Sequence, residues 1–296
     1  MPSFRNAKSQ AKHAVKQKLG IKVARHTQRH DQKIHSLGTA RNYEQALTRL
    51  TKWLQQNKLG DLKKLDAKKS HNYLELRGQC IGQKTLDQER QAIQLYLGIK
   101  LPVVKSELFQ AVQSRAYTIE QIHLISKSQT EKNRLATELA HAAGLRAHEL
   151  FTLRPKQERS ASTHRQWTAK RFSGREGIIY TVIGKGGLTR EVLIPEPLAQ
   201  RLEEQRLNIP VIIKDREINY ECYYKIGGGK DWTNSFSAAS KRVLGWSHGA
   251  HGLRHTYAQT RMHELQRQDF IYLEALGIVS QELGHFRPDI TEVYLR

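Results

Sequence analysis

The sequence predicts a mainly α-helical chain with one small antiparallel β-sheet, divided into a helical amino-terminal domain and a mixed α/β carboxy-terminal domain. Two observations predict it. Between residues 39 and 110, apolar residues recur at helical spacing behind residues able to start helices. Between 177 and 194, that spacing gives way to two β-branched runs around a glycine-rich turn. At 296 residues the chain is long enough for two cores. The pattern divides it into a basic segment 1–35, a helical domain 36–112 and a larger domain 113–296.

Residues 1–35 hold nine Lys and Arg, four His and one acid, Asp31, with few large apolar residues, so they build little core of their own. They read either as a basic arm that contacts phosphates or as a solvated, partly helical tail. In the next domain Tyr43, Leu47, Leu50 and Leu54 fall on one helix face, with Thr39 placed to cap its start. Asp66 is placed to cap a second helix running to Gly78. Thr85-Leu86-Asp87-Gln88 has the form of a capping box and opens a third, with Leu86, Ile93 and Leu97 on one stripe and Gly98 beyond it. Such short helices with basic outer faces suit a polyanion, and a generic helical bundle fits the same pattern.

The larger domain opens on a further capping box, Thr118-Ile119-Glu120-Gln121. From Thr130 to Ala143, Leu135, Leu139 and Ala142 or Ala143 share a helix face, and Gly144 can take the left-handed conformation that ends it. Ile178, Ile179, Tyr180, Val182 and Ile183 then precede Gly184-Lys185-Gly186-Gly187, and residues 192–194 follow, which is a hairpin. A second glycine-rich run, Lys225-Ile226-Gly227-Gly228-Gly229-Lys230, lacks comparable flanking strands. Asp231 stands where a P-loop needs Ser or Thr, so that run is not a nucleotide cradle. From Ser235 the chain reads helical, apart from a loop over residues 245–250.

Forty-nine Lys and Arg against 28 Asp and Glu give a formal net charge of +21, which draws the chain to polyanions, nucleic acid first. A basic ribosome-associated protein fits the charge alone. Cys80 and Cys222 offer neither a disulfide framework nor a metal-ligand set, and read as reduced thiols of a cytoplasmic protein. No stretch approaches the roughly 20 apolar residues of a membrane span, and the amino terminus lacks the apolar run of a signal peptide.

Three blocks carry chemistry: Gly144-Leu145-Arg146-Ala147-His148-Glu149-Leu150, His251-Gly252-Leu253-Arg254-His255, and Leu283-Gly284-His285 with Tyr294 nine residues on. Arginine presents a rigid fork of donors matched to phosphate oxygens, so Arg146 and Arg254 can together neutralise charge developing at phosphorus. A phenol is a poor nucleophile at neutral pH and needs a base, which histidine supplies. His251 and Arg254, three residues apart, share one helix face. His251 and His255 have the spacing of a zinc-binding H-E-x-x-H helix, but Gly252 occupies the place of the essential glutamate.

The ordered set G-L-R-x-x-E-L, H-x-L-R-H-T and L-G-H with a tyrosine nine residues later resembles the tyrosine recombinases, or phage integrases, over residues 36–296. The resemblance implies a core-binding domain and a catalytic domain that form a clamp around double-stranded DNA. It implies that Tyr294 attacks a phosphate to give a 3′-phosphotyrosyl bond and a free 5′ hydroxyl, with Arg146 and Arg254 on the phosphate. His251 would take the tyrosine proton or position the phosphate, His285 would donate a hydrogen bond to a phosphate oxygen, and Glu149 would hold an arginine or histidine in place. Lys185, at the hairpin tip, stands where the family carries its catalytic lysine, and a lysine amid positive charge can serve as the acid for the departing oxygen. The family acts as a tetramer on two DNA sites, with no ATP, metal or other cofactor, and accessory DNA-bending or directionality proteins are further expected partners. The implied setting is a mobile element in a bacterium, the protein lying with the nucleoid in the cytoplasm.

Two other readings use the same residues: a type IB topoisomerase-like enzyme, and a non-catalytic DNA-binding protein of integrase ancestry. Only Leu295 and Arg296 follow Tyr294 in the sequence, too few for a helical turn that could hold a neighbouring subunit. Either the chain continues beyond this sequence, or free protein is a monomer whose copies meet only on DNA.

Overall fold

Helix caps and one buried apolar stripe per helix build the first part of the chain. The computed structural model describes residues 6–20, 33–108 and 113–296, without the side chain of Lys185. The chain divides into two units, Met1–Ala111 and Val112–Arg296.

In the first unit α1 (Ala7–Gln17), α2 (Leu37–Gln56), α3 (Ala67–Gly78) and α4 (Gln83–Leu97) surround a core that includes Leu47, Leu50, Leu54, Leu74, Leu86 and Ile93. Asp66 caps α3 as its position predicts, accepting the Lys69 backbone N–H at 2.8 Å. Gly98 ends α4 in the left-handed region at φ +73°. Two caps differ from expectation. The cap of α2 is Ser36, whose hydroxyl accepts the Thr39 N–H at 3.1 Å, so Thr39 lies inside the first turn. Helix α4 opens at Gly82, placing Thr85 inside the helix. There Gln83 does the tethering instead, accepting the Ser106 N–H and donating to the Val104 carbonyl.

The larger difference concerns residues 1–35. Their described part is no free tail: Ala11, Ala14, Val15 and Ile34 enter the first unit's core, and Gln10 accepts the Leu62 N–H at 3.0 Å. Small residues at helical spacing let α1 lie close against α2, and the exposed face keeps Lys8, Lys12 and Lys16. Residues 1–5 and 21–32 of the basic segment lie outside the described residues.

The second unit begins with α5 (Ile119–Lys127), opened by the Thr118–Gln121 capping box, and α6 (Glu131–Ala142). A three-stranded antiparallel sheet follows, β1 (Arg154–Pro155), β2 (Ile178–Ile183) and β3 (Thr189–Ile194), with β2 and β3 in register from Ile178–Ile194 to Ile183–Thr189. Val182, Val192 and Ile194 point into the core beside Leu139, Trp232 and Phe236. Helix α7 (Glu196–Glu203) leads to an unforeseen ribbon, β4 (Arg206–Asp215) with β5 (Ile218–Tyr224). The Lys225–Lys230 run therefore does follow a strand, and its glycines serve packing. A Cβ at Gly228 would lie 2.5 Å, and one at Gly229 2.6 Å, from the Phe151 ring. Helices α8 (Gly229–Leu244), α9 (Gly252–Gln266), α10 (Tyr272–Glu282) and α11 (Pro288–Glu292) complete the chain. Among the described residues no helix is long and apolar enough to cross a membrane.

Because α1 is part of a core, its two faces should respond differently to mutation. Val15→Ala is expected to cost about 1–3 kcal/mol in urea unfolding, whereas Lys12→Gln should stay within about 0.5 kcal/mol of the parent. Equal, negligible effects would contradict the packing of α1.

Candidate active site

The site is organised around one carboxylate. Glu149 starts a single 3-10 turn, Glu149–Thr152, and has no exposed surface. Its Oε1 accepts from Arg146 Nη1 at 2.7 Å, and its Oε2 accepts from the Arg146 backbone N–H and from Arg190 Nη2, each at 2.8 Å. Arg254 Nη1 stands 3.9 Å from the same oxygen. Burial pushes this carboxyl's pKa up, but the guanidiniums of Arg190, Arg146 and Arg254 more than offset it and hold it well below the usual carboxylate range.

Arg146 and Arg254 reach this point from different elements. Gly144, at φ +58°, turns the chain out of α6 and directs Arg146 inward; a Cβ there would lie 2.9 Å from the Tyr257 ring. Arg254 sits in the first turn of α9, fully buried. It donates through Nη1 to the Gly144 carbonyl and through Nη2 to the Leu283 carbonyl at 3.1 Å. Its Nε finds no acceptor among the described residues.

His285 closes the cluster. Arg146 Nη2 lies 2.9 Å and Arg254 Nη2 3.3 Å from its Nε2. Arginine only donates, so Nε2 accepts and the ring proton is on Nδ1, which faces Thr291 Oγ1 at 3.4 Å. Burial, then the charges of Arg254, Arg146 and Arg190, bring its pKa down to about 3. The ring is therefore an acceptor at Nε2 for both arginines.

Tyr294 packs over these groups with 8% of its surface exposed. Its ring centroid is 4.8 Å from that of His255, 5.3 Å from His285 and 5.5 Å from His251, and Arg254 Cζ lies 5.6 Å away. Gln259 fixes the segment by donating to the Tyr294 and Arg296 carbonyls, each at 3.1 Å. His251 keeps solvent contact, yet the desolvated side of its ring and the nearby Arg254 lower its pKa. His255 is buried and is also shifted down, to about 4, by desolvation and then Arg115.

Arg146, Glu149, His251, Arg254, His285 and Tyr294 thus converge. The Lys185 backbone begins the turn Lys185–Gly187 between β2 and β3, while its side chain lies outside the described residues. The neighbouring Gly184 abuts the cluster: a Cβ there would be 3.2 Å from Glu149 Oε1 and 3.7 Å from Arg146 Nη1. Sequence reasoning passed over two members. Arg190 was detectable, because it alternates in phase with the inward-facing Val192 and Ile194. His255 was noted only for its zinc-like spacing from His251, whereas here both rings face the tyrosine.

The depressed histidine pKa has a consequence for stability. Unfolded His285 takes a proton near its ordinary value of 6.5, and the folded ring does so near 3, so between these values acid favours the unfolded chain. Stability should fall as pH drops from about 6.5 towards 3, by at most about 1.4 kcal/mol per pH unit for this group. Unfolding titrations at pH 6 and 4 should show a shallower pH slope for His285→Gln than for the parent; an identical slope contradicts a partly buried, neutral His285.

No protein-family model matches the sequence, and no curated protein matches it. Solved structures do. The chain resembles the XerH site-specific recombinase, solved bound to a palindromic difH substrate as a post-cleavage complex, at TM-score 0.60 and 14% identity over 100% of this chain and 94% of that one. It resembles the Tn1549 transposon integrase, solved with transposon right-end DNA, at TM-score 0.53 and 13% identity over 97% and 94%. It resembles a lambda integrase dimer bound to a COC′ core site at TM-score 0.53 and 14% identity over 88% and 89%. The mainly helical chain with small antiparallel sheets therefore has the fold of these site-specific recombinases and integrases.

Proposed function

We propose that this protein is a site-specific DNA recombinase of the tyrosine recombinase type, cutting and rejoining double-stranded DNA through a 3′-phosphotyrosyl bond. The observation that carries the reading is the convergence of a tyrosine, two arginines and a neutral histidine from three separate sequence blocks. The recombinase fold supports it.

In this reading the scissile phosphate takes donors of Arg146 and Arg254 that now face His285 Nε2. Tyr294 Oη attacks phosphorus, its proton passes to His251, the bond from phosphorus to O5′ breaks, and Lys185 protonates O5′. His285, released from its acceptor role, can carry its proton on Nε2 and donate to a phosphate oxygen. The tyrosyl ester conserves the phosphodiester's energy, so the 5′ hydroxyl of a partner duplex reseals by the reverse steps without ATP. The two arginines supply the fixed positive charge that stabilises the five-coordinate phosphorus. The helical unit and the catalytic unit each bind the duplex. The protein assembles as a tetramer on two sites of a mobile element, with accessory DNA-bending or directionality proteins as partners, in the bacterial nucleoid.

On a nicked suicide substrate the parent should accumulate a covalent protein–DNA adduct on a denaturing gel. Tyr294→Phe should bind the same DNA and give no adduct; an undiminished adduct would sink the assignment. Lys185→Ala should cleave ordinary DNA at least about 100-fold more slowly. It should recover on a duplex whose bridging 5′ oxygen is sulfur, a leaving group that needs no proton. Absence of recovery removes Lys185 from the acid role.

A further inference from the structure

Arg190 lies on β3, five residues beyond Lys185, with 1% of its surface exposed. Its guanidinium joins β3 to two other segments. Nη1 donates to the Glu282 carbonyl at 2.6 Å, and Nη2 donates to Glu149 Oε2 at 2.8 Å and to the Gly144 carbonyl at 3.3 Å. Gly144 and Glu149 flank Arg146, and Glu282 lies just before the turn that presents His285. That turn passes so close over Arg190 that a Cβ at Gly284, where φ is +73°, would lie 2.9 Å from Arg190 Cδ.

We propose that Arg190 is a positioning residue for phosphoryl transfer: it offsets the charge of Glu149 and ties together the two turns that bring Arg146 and His285 to the scissile phosphate. The proposal rests on the recombinase reading for its substrate. Three guanidiniums face one carboxylate, so the cluster keeps two positive charges, the number of negative charges gathered by a five-coordinate phosphorane with two non-bridging oxygens. Without Arg190, Glu149 would cancel half of the charge offered by Arg146 and Arg254. In a buried site such fixed charge acts with little screening. Arg190 touches neither the tyrosine nor the phosphate in this scheme; it acts through Glu149 and the two turns.

The test uses the full-length chain carrying Arg190→Met. On the nicked suicide duplex the adduct should form about 100-fold more slowly, with DNA affinity within about threefold of the parent. Replacing the scissile phosphate by an uncharged methylphosphonate leaves less negative charge to stabilise, so the defect should there shrink below about tenfold. A defect equal on both duplexes is what a merely structural role would give, and overturns the proposal. So does a rate within about threefold of the parent.

A parent that forms no adduct at all would defeat the recombinase reading, and the charge claim is then decided without DNA. His285 is faced by Arg146, Arg254, Arg190 and Glu149, with Thr291 and Tyr294 beside it. Its NMR titration in free protein should move up by at least about one pH unit in Arg190→Met, and an unmoved titration overturns the proposal. Should Arg190→Met fail to fold by circular dichroism, Arg190→Gln, which keeps donors and loses the charge, is expected to behave the same way in each measurement.

Discussion

The whole arrangement depends on a carboxylate sealed from water with three guanidiniums around it. Burying charges is a poor way to stabilise a fold, since desolvation consumes most of the Coulombic gain, while removing one partner from such a cluster costs about 3–5 kcal/mol. The cluster makes physical sense as preorganisation instead. Each arginine is held by fixed acceptors before any ligand arrives: Arg146 by Glu149, Arg190 by Glu149 and two carbonyls, Arg254 by the Gly144 and Leu283 carbonyls. Little side-chain freedom then remains to be lost when an anion binds, and the positive charge cannot relax away from it.

A second buried network braces the first. Glu282 has no exposed surface and accepts from Arg261 Nε at 3.1 Å, from the Tyr257 hydroxyl at 2.9 Å and from the Phe172 N–H at 2.7 Å. The Phe172 contact belongs to the long connection between β1 and β2. That connection also sends the Thr168 N–H to Gln281 at 2.7 Å and packs Trp167 against Phe286 with ring centroids 4.7 Å apart. His285 is thereby fixed on both sides, by Glu282 before it and by Phe286, which adopts φ +55°, after it. An unusual backbone at a non-glycine residue such as Phe286 is the kind of local strain that surrounding packing must hold in place.

What could be read from the sequence was whatever is written locally. The capping box at Thr118, the left-handed stops at Gly98 and Gly144 and the hairpin of β2 and β3 all follow from short-range rules, and each is present. The three blocks stood out for their arginines, histidines and tyrosine and for their resemblance to the tyrosine recombinases, and the fold brings these side chains together. What escaped depends on partners distant in the chain. Ser36 rather than Thr39 caps α2 because the backbone is still extended at Ser36. The ribbon of β4 and β5 was missed because Ile209, Val211 and Ile212 stay exposed and give no clean inward alternation. The role of α1 was missed because alanines, not large apolar residues, make its buried face. The alternation of β3 turns Arg190 inward with Val192 and Ile194, but its partner Glu149 lies 41 residues away and could not be read locally.

A crystal structure of the protein on a nicked duplex with orthovanadate at the break would test the central claim most directly, because vanadate takes up the five-coordinate geometry of the reacting phosphorus. Tyr294 Oη should supply one apical oxygen. Arg146 and Arg254 should lie within hydrogen-bond reach, about 2.7–3.2 Å, of the equatorial oxygens, with Glu149 still bound to Arg190. Vanadate seated away from Tyr294, or an Arg146–Glu149–Arg190 cluster that has come apart around it, would contradict a preorganised phosphoryl-transfer site.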